Sequence, residues 1–203
     1  MNRSKTTLDV RSAGRVAPRV LLLAGLSLLG TVAAAAQVTP PEVPADLVAP
    51  EGNRAYLMKH AVGTQNYICL AAGQAWTFIG PQATLFDDDG DQALTHFLSP
   101  NPVENGVARA TWQHSRDTSA VWARAIATSS DPAYVAPGAI PWLLLTVVGA
   151  QAGPNEGDRI ASTTFIQRVN TAGGVAPAGV CPAVGVRAFV PYETDYVFYK
   201  AQH

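Results

Sequence analysis

The sequence predicts an all-β protein, an antiparallel β-sandwich or partly open barrel in a single domain, preceded by an export signal. Three observations predict it. Short apolar or strictly alternating runs recur along the chain with turn residues between them. The 17 Gly and 15 Pro among 203 residues favour turns over long helices. No heptad pattern or strong helix cap interrupts the series. With 48% hydrophobic and 14% charged residues the chain is too apolar for a disordered one.

Residues 1–36 read as a secretory signal peptide. Arg3, Lys5, Arg11, Arg15 and Arg19 form a basic region, Val20–Leu29 is an apolar run closed by Gly30, and Ala33–Ala36 supply the small residues of a cleavage site after Ala36. The competing reading is an uncleaved anchor, because the apolar stretch lies at the lower limit for a membrane span. Removing the leader's five basic residues and Asp9 from 14 basic and 15 acidic residues leaves 9 and 14, a net charge of −5. A mildly acidic chain secreted or released into a periplasm has no electrostatic pull toward nucleic acid or anionic lipid. No nucleic-acid partner and no membrane span after cleavage are expected. Cys69 and Cys181 both lie in the mature part. In an oxidising compartment the simplest reading is one disulfide, with a metal pair or two free thiols as alternatives.

Residues 37–53 form a proline-rich extended arm, with Pro40, Pro41, Pro44 and Pro50. The all-β domain occupies 54–203. Ala55–Val62 and Asn66–Ala71 flank Gly63-Thr64 and read as a hairpin. Gln74–Ile79 and Ala83–Phe86 are separated by Gly80-Pro81, and the Asp87–Asp91 turn follows. Arg109–Ser115 alternates strictly, the mark of a half-buried strand. Ala120–Thr128 fits either a strand or a short helix. Trp142–Ala150 is a continuous apolar run suited to a strand buried on both faces. Ser162–Val169, Arg187–Val190 and Thr194–Lys200 complete the series.

The most tempting chemical motif is Asp87-Asp88-Asp89-Gly90-Asp91, whose alternate carboxylates could converge on Ca²⁺. Its glycine is fourth rather than sixth and Leu98 stands where a bidentate Glu belongs, so a solvated hairpin turn is the better reading. His60, His96, His114 and His203 show none of the zinc spacings. Neither GxSxG nor GxGxxG occurs, which removes the nucleophile elbow and the dinucleotide fingerprint. The aromatics are the other resource. Trp76, Trp112, Trp122 and Trp142 fall in predicted strands, and Tyr192, Tyr196, Phe198 and Tyr199 crowd the carboxyl end. Tyr196 and Phe198 share one face and Val197 and Tyr199 the other, leaving one of them available as a binding surface, although core packing is the commoner fate of strand aromatics.

The stretch Thr164-Phe165-Ile166-Gln167-Arg168-Val169-Asn170-Thr171-Ala172-Gly173-Gly174-Val175-Ala176-Pro177 carries a family resemblance. Ile140-Pro141-Trp142-Leu143-Leu144, Ala83–Asp87, Thr95-His96-Phe97, Trp112 and Val190-Pro191-Tyr192 add to it. From Val43 to Tyr199 the chain resembles the secreted family catalogued as domain of unknown function 3455, found in bacteria and fungi. The resemblance implies an exported β-rich domain with no established activity. The chain departs from it in Leu98–Val107, which holds Pro and Asn where the family has a tryptophan-rich loop. Within the string, Ile166 and Arg168 share one face and Gln167 and Val169 the other, with Asn170 capping a turn that Gly173-Gly174 completes. Arg168 beside Asn170 also suits a carboxylate or a sugar hydroxyl.

The expectation is an exported, non-catalytic ligand-binding or envelope-associated module, with a small molecule, a glycan or an envelope protein as partner and no cofactor. Its candidate binding residues are His96, Trp112, Arg168, Asn170, Tyr192 and Tyr196. One alternative is a secreted enzyme using His96 or His114 with an aspartate of Asp87–Asp91, with or without a metal. The other is a structural or protein-interaction envelope protein.

Overall fold

The computed structural model describes residues 38–154 and 156–202, so the expected leader, residues 1–36, lies outside the described part. Eight antiparallel strands form one sheet: β1 Asn53–Leu70, β2 Ala75–Phe86, β3 Gln92–Asn101, β4 Val107–His114, β5 Ala120–Ser129, β6 Trp142–Gln151, β7 Thr163–Gly173 and β8 Arg187–Ala201. Each pairs with the next, and β8 returns to pair with β1 from Asn53–Ala201 to Ile68–Arg187. The barrel is therefore closed, which bears out the barrel side of the expectation and corrects the sandwich. Alternation along single strands is the same in both architectures; what decides is that β1 and β8, 18 and 15 residues long, reach each other along most of their length.

The same long strands correct two expected breaks. Gly63-Thr64 is no hairpin, because β1 runs straight through it. A Cβ at Gly63 would stand 2.1 Å from the Gln82 carbonyl oxygen and 2.6 Å from the Ala83 Cβ, so the glycine marks a close approach of two strands and not a turn. Gly80-Pro81 likewise lies inside β2, where the pairing shifts from Asn66–Gly80 to Tyr67–Phe78 and Ile79 is the extra residue of a bulge. Pro191 is accommodated within β8, uniting Arg187–Val190 and Thr194–Lys200. Asn170 caps no turn: with φ of 53° it sits in a second register shift, and β7 continues to Gly173. The ambiguous Ala120–Thr128 is a strand. At Asp87–Asp91 the hairpin turn is built by the Asp87 carboxylate, which accepts from the amides of Asp89 (3.2 Å) and Asp91 (3.0 Å), while Gly90 has φ of 84°.

Apolar packing occurs on both sides of the sheet. Inside the barrel lie Ala61, Leu85, Leu94, Trp112, Val121, Leu145, Ile160, Ile166, Tyr196 and Phe198. On the outer side of β1 and β5–β8 a second layer joins Leu47, Val135, Trp142, Leu144, Val169, Val197 and Tyr199. The proline-rich segment lies in this outer layer. Its 3-10 turn, Ala45–Leu47, buries Leu47 completely, and the Leu47 carbonyl accepts from Gln167 Nε2 (2.7 Å) while Gln167 Oε1 accepts from the Tyr199 hydroxyl (2.6 Å). Both faces of Tyr196–Tyr199 are thus buried, so neither is the free aromatic surface expected from sequence. Trp142–Ala150 is buried at its start and becomes exposed toward its end.

Cys69 and Cys181 form the expected disulfide, tying the end of β1 to the segment between β7 and β8 across 112 residues. The backbone reinforces that junction through Cys69 N to Val186 O, Gly185 N to Cys69 O and Cys181 N to Gln74 O, each 2.9 Å. No helix among the described residues is long and apolar enough to cross a membrane.

Candidate functional site

The ladder is incomplete around the β3–β4 hairpin. β2 and β3 pair only between Ala83–Phe86 and Gln92–His96, and β4 and β5 only between Ala110–Gln113 and Ala120–Ala123. Two residues beyond Ala83, Pro81 has no N–H to extend a ladder. The β3–β4 pairing continues alone to Asn101–Val107, and the hairpin folds across the outside of β5 and β6. Ser99 Oγ accepts from Trp122 Nε1 (2.9 Å), and Asn101 Nδ2 donates to the Val148 carbonyl (3.2 Å). Gly149 permits this docking, since a Cβ there would meet Asn101 Oδ1 at 2.4 Å. Asn101 also donates to Glu104, which receives Arg109 in a bidentate pair at 2.8 and 2.7 Å. Arg109 and Asn101 hold the Glu104 carboxyl down at about 2.

Where the hairpin leaves its neighbours, a cavity of about 500 Å³ opens into the barrel. Its rim includes the exposed residues Phe78, Leu98, Ala108 and Ala125. Its base includes His96, Trp112 and Tyr196, which are 3%, 1% and 1% exposed, together with Arg168 from β7. His96 stacks on Trp112 with ring centroids 4.1 Å apart and planes within 13°, and Tyr196 meets both rings edge-on at 5.1 and 5.2 Å. A second depression of about 750 Å³ beside β2 and β3 shares Pro81, His96 and Leu98 with the first.

The electrostatics of the cavity follow from burial. His96 donates from Nδ1 to the Thr111 carbonyl (2.9 Å). Burial outweighs that bond and, aided by the Arg168 charge, brings the imidazole down to about 3. The ring is neutral at pH 7, with Nδ1 protonated and a lone pair on Nε2. Burial also raises the Tyr192 and Tyr196 phenols, whose hydroxyls are 3.4 Å apart. Arg168 directs Nε and Nη2 to the Pro141 carbonyl, at 3.1 and 2.7 Å. Among the described residues no carboxylate forms an ion pair with it. Gln65 Nε2 and Trp112 Nε1, both buried and both in residues lining this cavity, have no hydrogen-bond partner. The arrangement presents donors and positive charge, together with one imidazole acceptor.

Four of the six candidate residues named from sequence thus line one cavity: His96, Trp112, Arg168 and Tyr196. Tyr192 is buried beside Tyr196 and outside that lining. Asn170 is separate from it, exposed on the barrel's exterior and donating to Asp195 Oδ2 at 2.8 Å. Gln65, Arg124, Leu143 and Leu145 also line the cavity and were not anticipated. Reading β1 as one strand would have found Gln65, since it falls in period two with Gly63 and Tyr67. The pairing of His96 or His114 with Asp87–Asp91 that the alternative enzyme reading requires is not seen: His114 Nδ1 lies 3.1 Å from Asp117 Oδ1, and among the described residues no three His, Cys, Asp or Glu side chains gather into a metal-binding group.

Fold and site together define an eight-stranded up-and-down barrel with an arginine-bearing interior cavity at one end. The chain belongs to the family described as "Protein of unknown function (DUF3455)", whose model matches residues 50–200. No curated protein and no solved structure matches the chain.

Proposed function

We propose that the protein is an exported β-barrel that binds a small molecule, without chemistry, in the cavity beside the β3–β4 hairpin. The observation that carries this reading is the cavity itself. Eight strands leave an interior that side chains fill or that holds one small ligand, and about 500 Å³ lies within the usual range for such sites. Binding is favoured over catalysis because His96, the only imidazole in the lining, has a carbonyl and not a carboxylate as its partner. The Cys69–Cys181 bridge supports export, since such bridges persist in oxidising compartments. A glycan is the less favoured ligand: Trp112 has His96 on one face and Tyr196 at its edge, which leaves little open ring to stack on a sugar.

Native mass spectrometry of the oxidised chain recovered from its own host tests the reading. A stoichiometric small-molecule adduct is expected, absent from an Ala125→Trp variant that blocks the exposed rim. A bare chain that also shows no thermal shift against a panel of small molecules would overturn it. A second reading, a protein-interaction role in the envelope, is favoured by Val62, Ile79 and Phe189, exposed on the outer side of β1, β2 and β8. Sedimentation of the purified chain alone and with envelope extract tests that reading, which predicts a discrete heavier species.

A further inference from the structure

Resting on the small-molecule reading above, we infer that the ligand of the cavity is an organic anion, a carboxylate with an apolar body, whose charge is received by Arg168. The guanidinium is oriented by its two bonds to the Pro141 carbonyl, yet that carbonyl brings no full negative charge. A guanidinium has five N–H groups in a rigid fork, so donors remain for a second acceptor. Among the described residues no carboxylate pairs with Arg168, and none of the residues lining the cavity is acidic. Arg168 is half-buried, so its charge keeps part of its hydration and an anion entering the cavity replaces the rest.

The rest of the lining agrees in sign. Arg109 and Arg124 stand at the cavity's edge, and only Arg109 is neutralised, by Glu104. The remaining wall is apolar, with Leu143, Leu145, Ala110 and Ala123 facing the space that the body of the ligand would fill. His96 is kept uncharged there, so its Nε2 accepts from a hydroxyl or N–H on the ligand and does not compete with Arg168 for the anion.

The test compares 2-naphthoate with its uncharged amide, 2-naphthamide, by calorimetric titration of the oxidised chain at pH 7. The acid is expected to bind at least about tenfold more tightly than the amide, the scale of one charge-assisted hydrogen bond pair. Arg168→Gln is expected to abolish that preference, whereas Arg124→Gln at the rim changes it by less than about threefold. Equal affinity for acid and amide overturns the anion assignment and leaves the small-molecule reading standing. No saturable binding of either up to about 5 mM overturns both, since a cavity of this class should reach that affinity. If Arg168→Gln does not fold, the acid-to-amide ratio of the unaltered chain decides.

Discussion

At one end of the barrel Leu85, Leu94, Val121, Ile160, Ile166 and Phe198 are buried against one another, and the polar groups among them are paired. The Tyr56 and Thr163 hydroxyls bond at 2.6 Å, Thr163 Oγ1 donates to the Ile160 carbonyl at 2.6 Å, and the Ile160 amide donates to Ser119 Oγ at 3.3 Å. At the other end the sheet carries Gln65, His96, Trp112, Arg168 and Tyr196 around a cavity, and among the described residues two donors there are unpaired and Arg168 has no counter-ion. The third unpaired donor, Trp142 Nε1, belongs to the outer layer and to neither end. Stability and recognition are thus separated along the barrel axis: the closed end supplies cohesion, and the cavity end tolerates groups that a pure core would reject.

That contrast breaks most visibly at Phe198. Phe198→Ala at the closed end should cost about 3–5 kcal/mol in urea unfolding, since it removes a fully buried ring from a packed site. A loss under about 1 kcal/mol would show that this end is not the cohesive one. Next in size, replacing both Cys69 and Cys181 by Ser should lower stability by roughly 2–4 kcal/mol, within the range for a bridge closing a long loop. Thermal unfolding with and without reductant measures the same quantity on the unaltered chain. Gly63→Ala, at the close approach of β1 and β2, should cost about 1–3 kcal/mol because backbone atoms of Gln82 and Ala83 must move. A neutral result would mean that the two strands can separate there.

Acid sharpens the comparison. His96 takes its proton near 6.5 when unfolded and near 3 when folded, so between those values the unfolded chain binds the additional proton. Its contribution is complete above pH 6.5 and declines as pH falls toward 3, at up to about 1.4 kcal/mol per pH unit. Glu104 has the same sign in a lower window: its contribution is present above about 4.5 and is lost as pH falls through about 2. Urea midpoints between pH 7 and pH 5 should therefore drop in the unaltered chain and drop by clearly less in His96→Gln, where His114, also lowered by burial, still contributes with the same sign. Smallest of all, Arg168→Met should change stability by no more than about 1 kcal/mol, the lost bonds to Pro141 being offset by removal of an uncompensated charge. A cost comparable to Phe198→Ala would make Arg168 a structural residue and erase the distinction between the two ends.

Much of this was legible along the chain, and the misreadings share one cause. The strand type of Arg109–Ser115 and Ser162–Val169, the disulfide pair and the Asp87–Asp91 turn follow from period two, cysteine count and turn chemistry, which are local. Gly63-Thr64, Gly80-Pro81 and Asn170 were misplaced because a glycine, a proline or an asparagine inside a strand looks like one at a turn until its neighbouring strand is known. The misplacement hid Gln65, since a break at Gly63 interrupts the alternation that puts it on the inner face.

The amino-acid sequence by itself determined that the domain is all-β and that Ile166 and Arg168 share a face opposite Gln167 and Val169, and it made one Cys69–Cys181 bridge the simplest of three readings. Only the tertiary structure decided that the sheet closes, that the proline-rich segment covers the outer layer, and that His96, Trp112, Arg168 and Tyr196 meet at one cavity. The reason is range. Alternation and turn chemistry act over a few residues, whereas closure and the cavity depend on pairings between β1 and β8 and on the departure of one hairpin from both its neighbours.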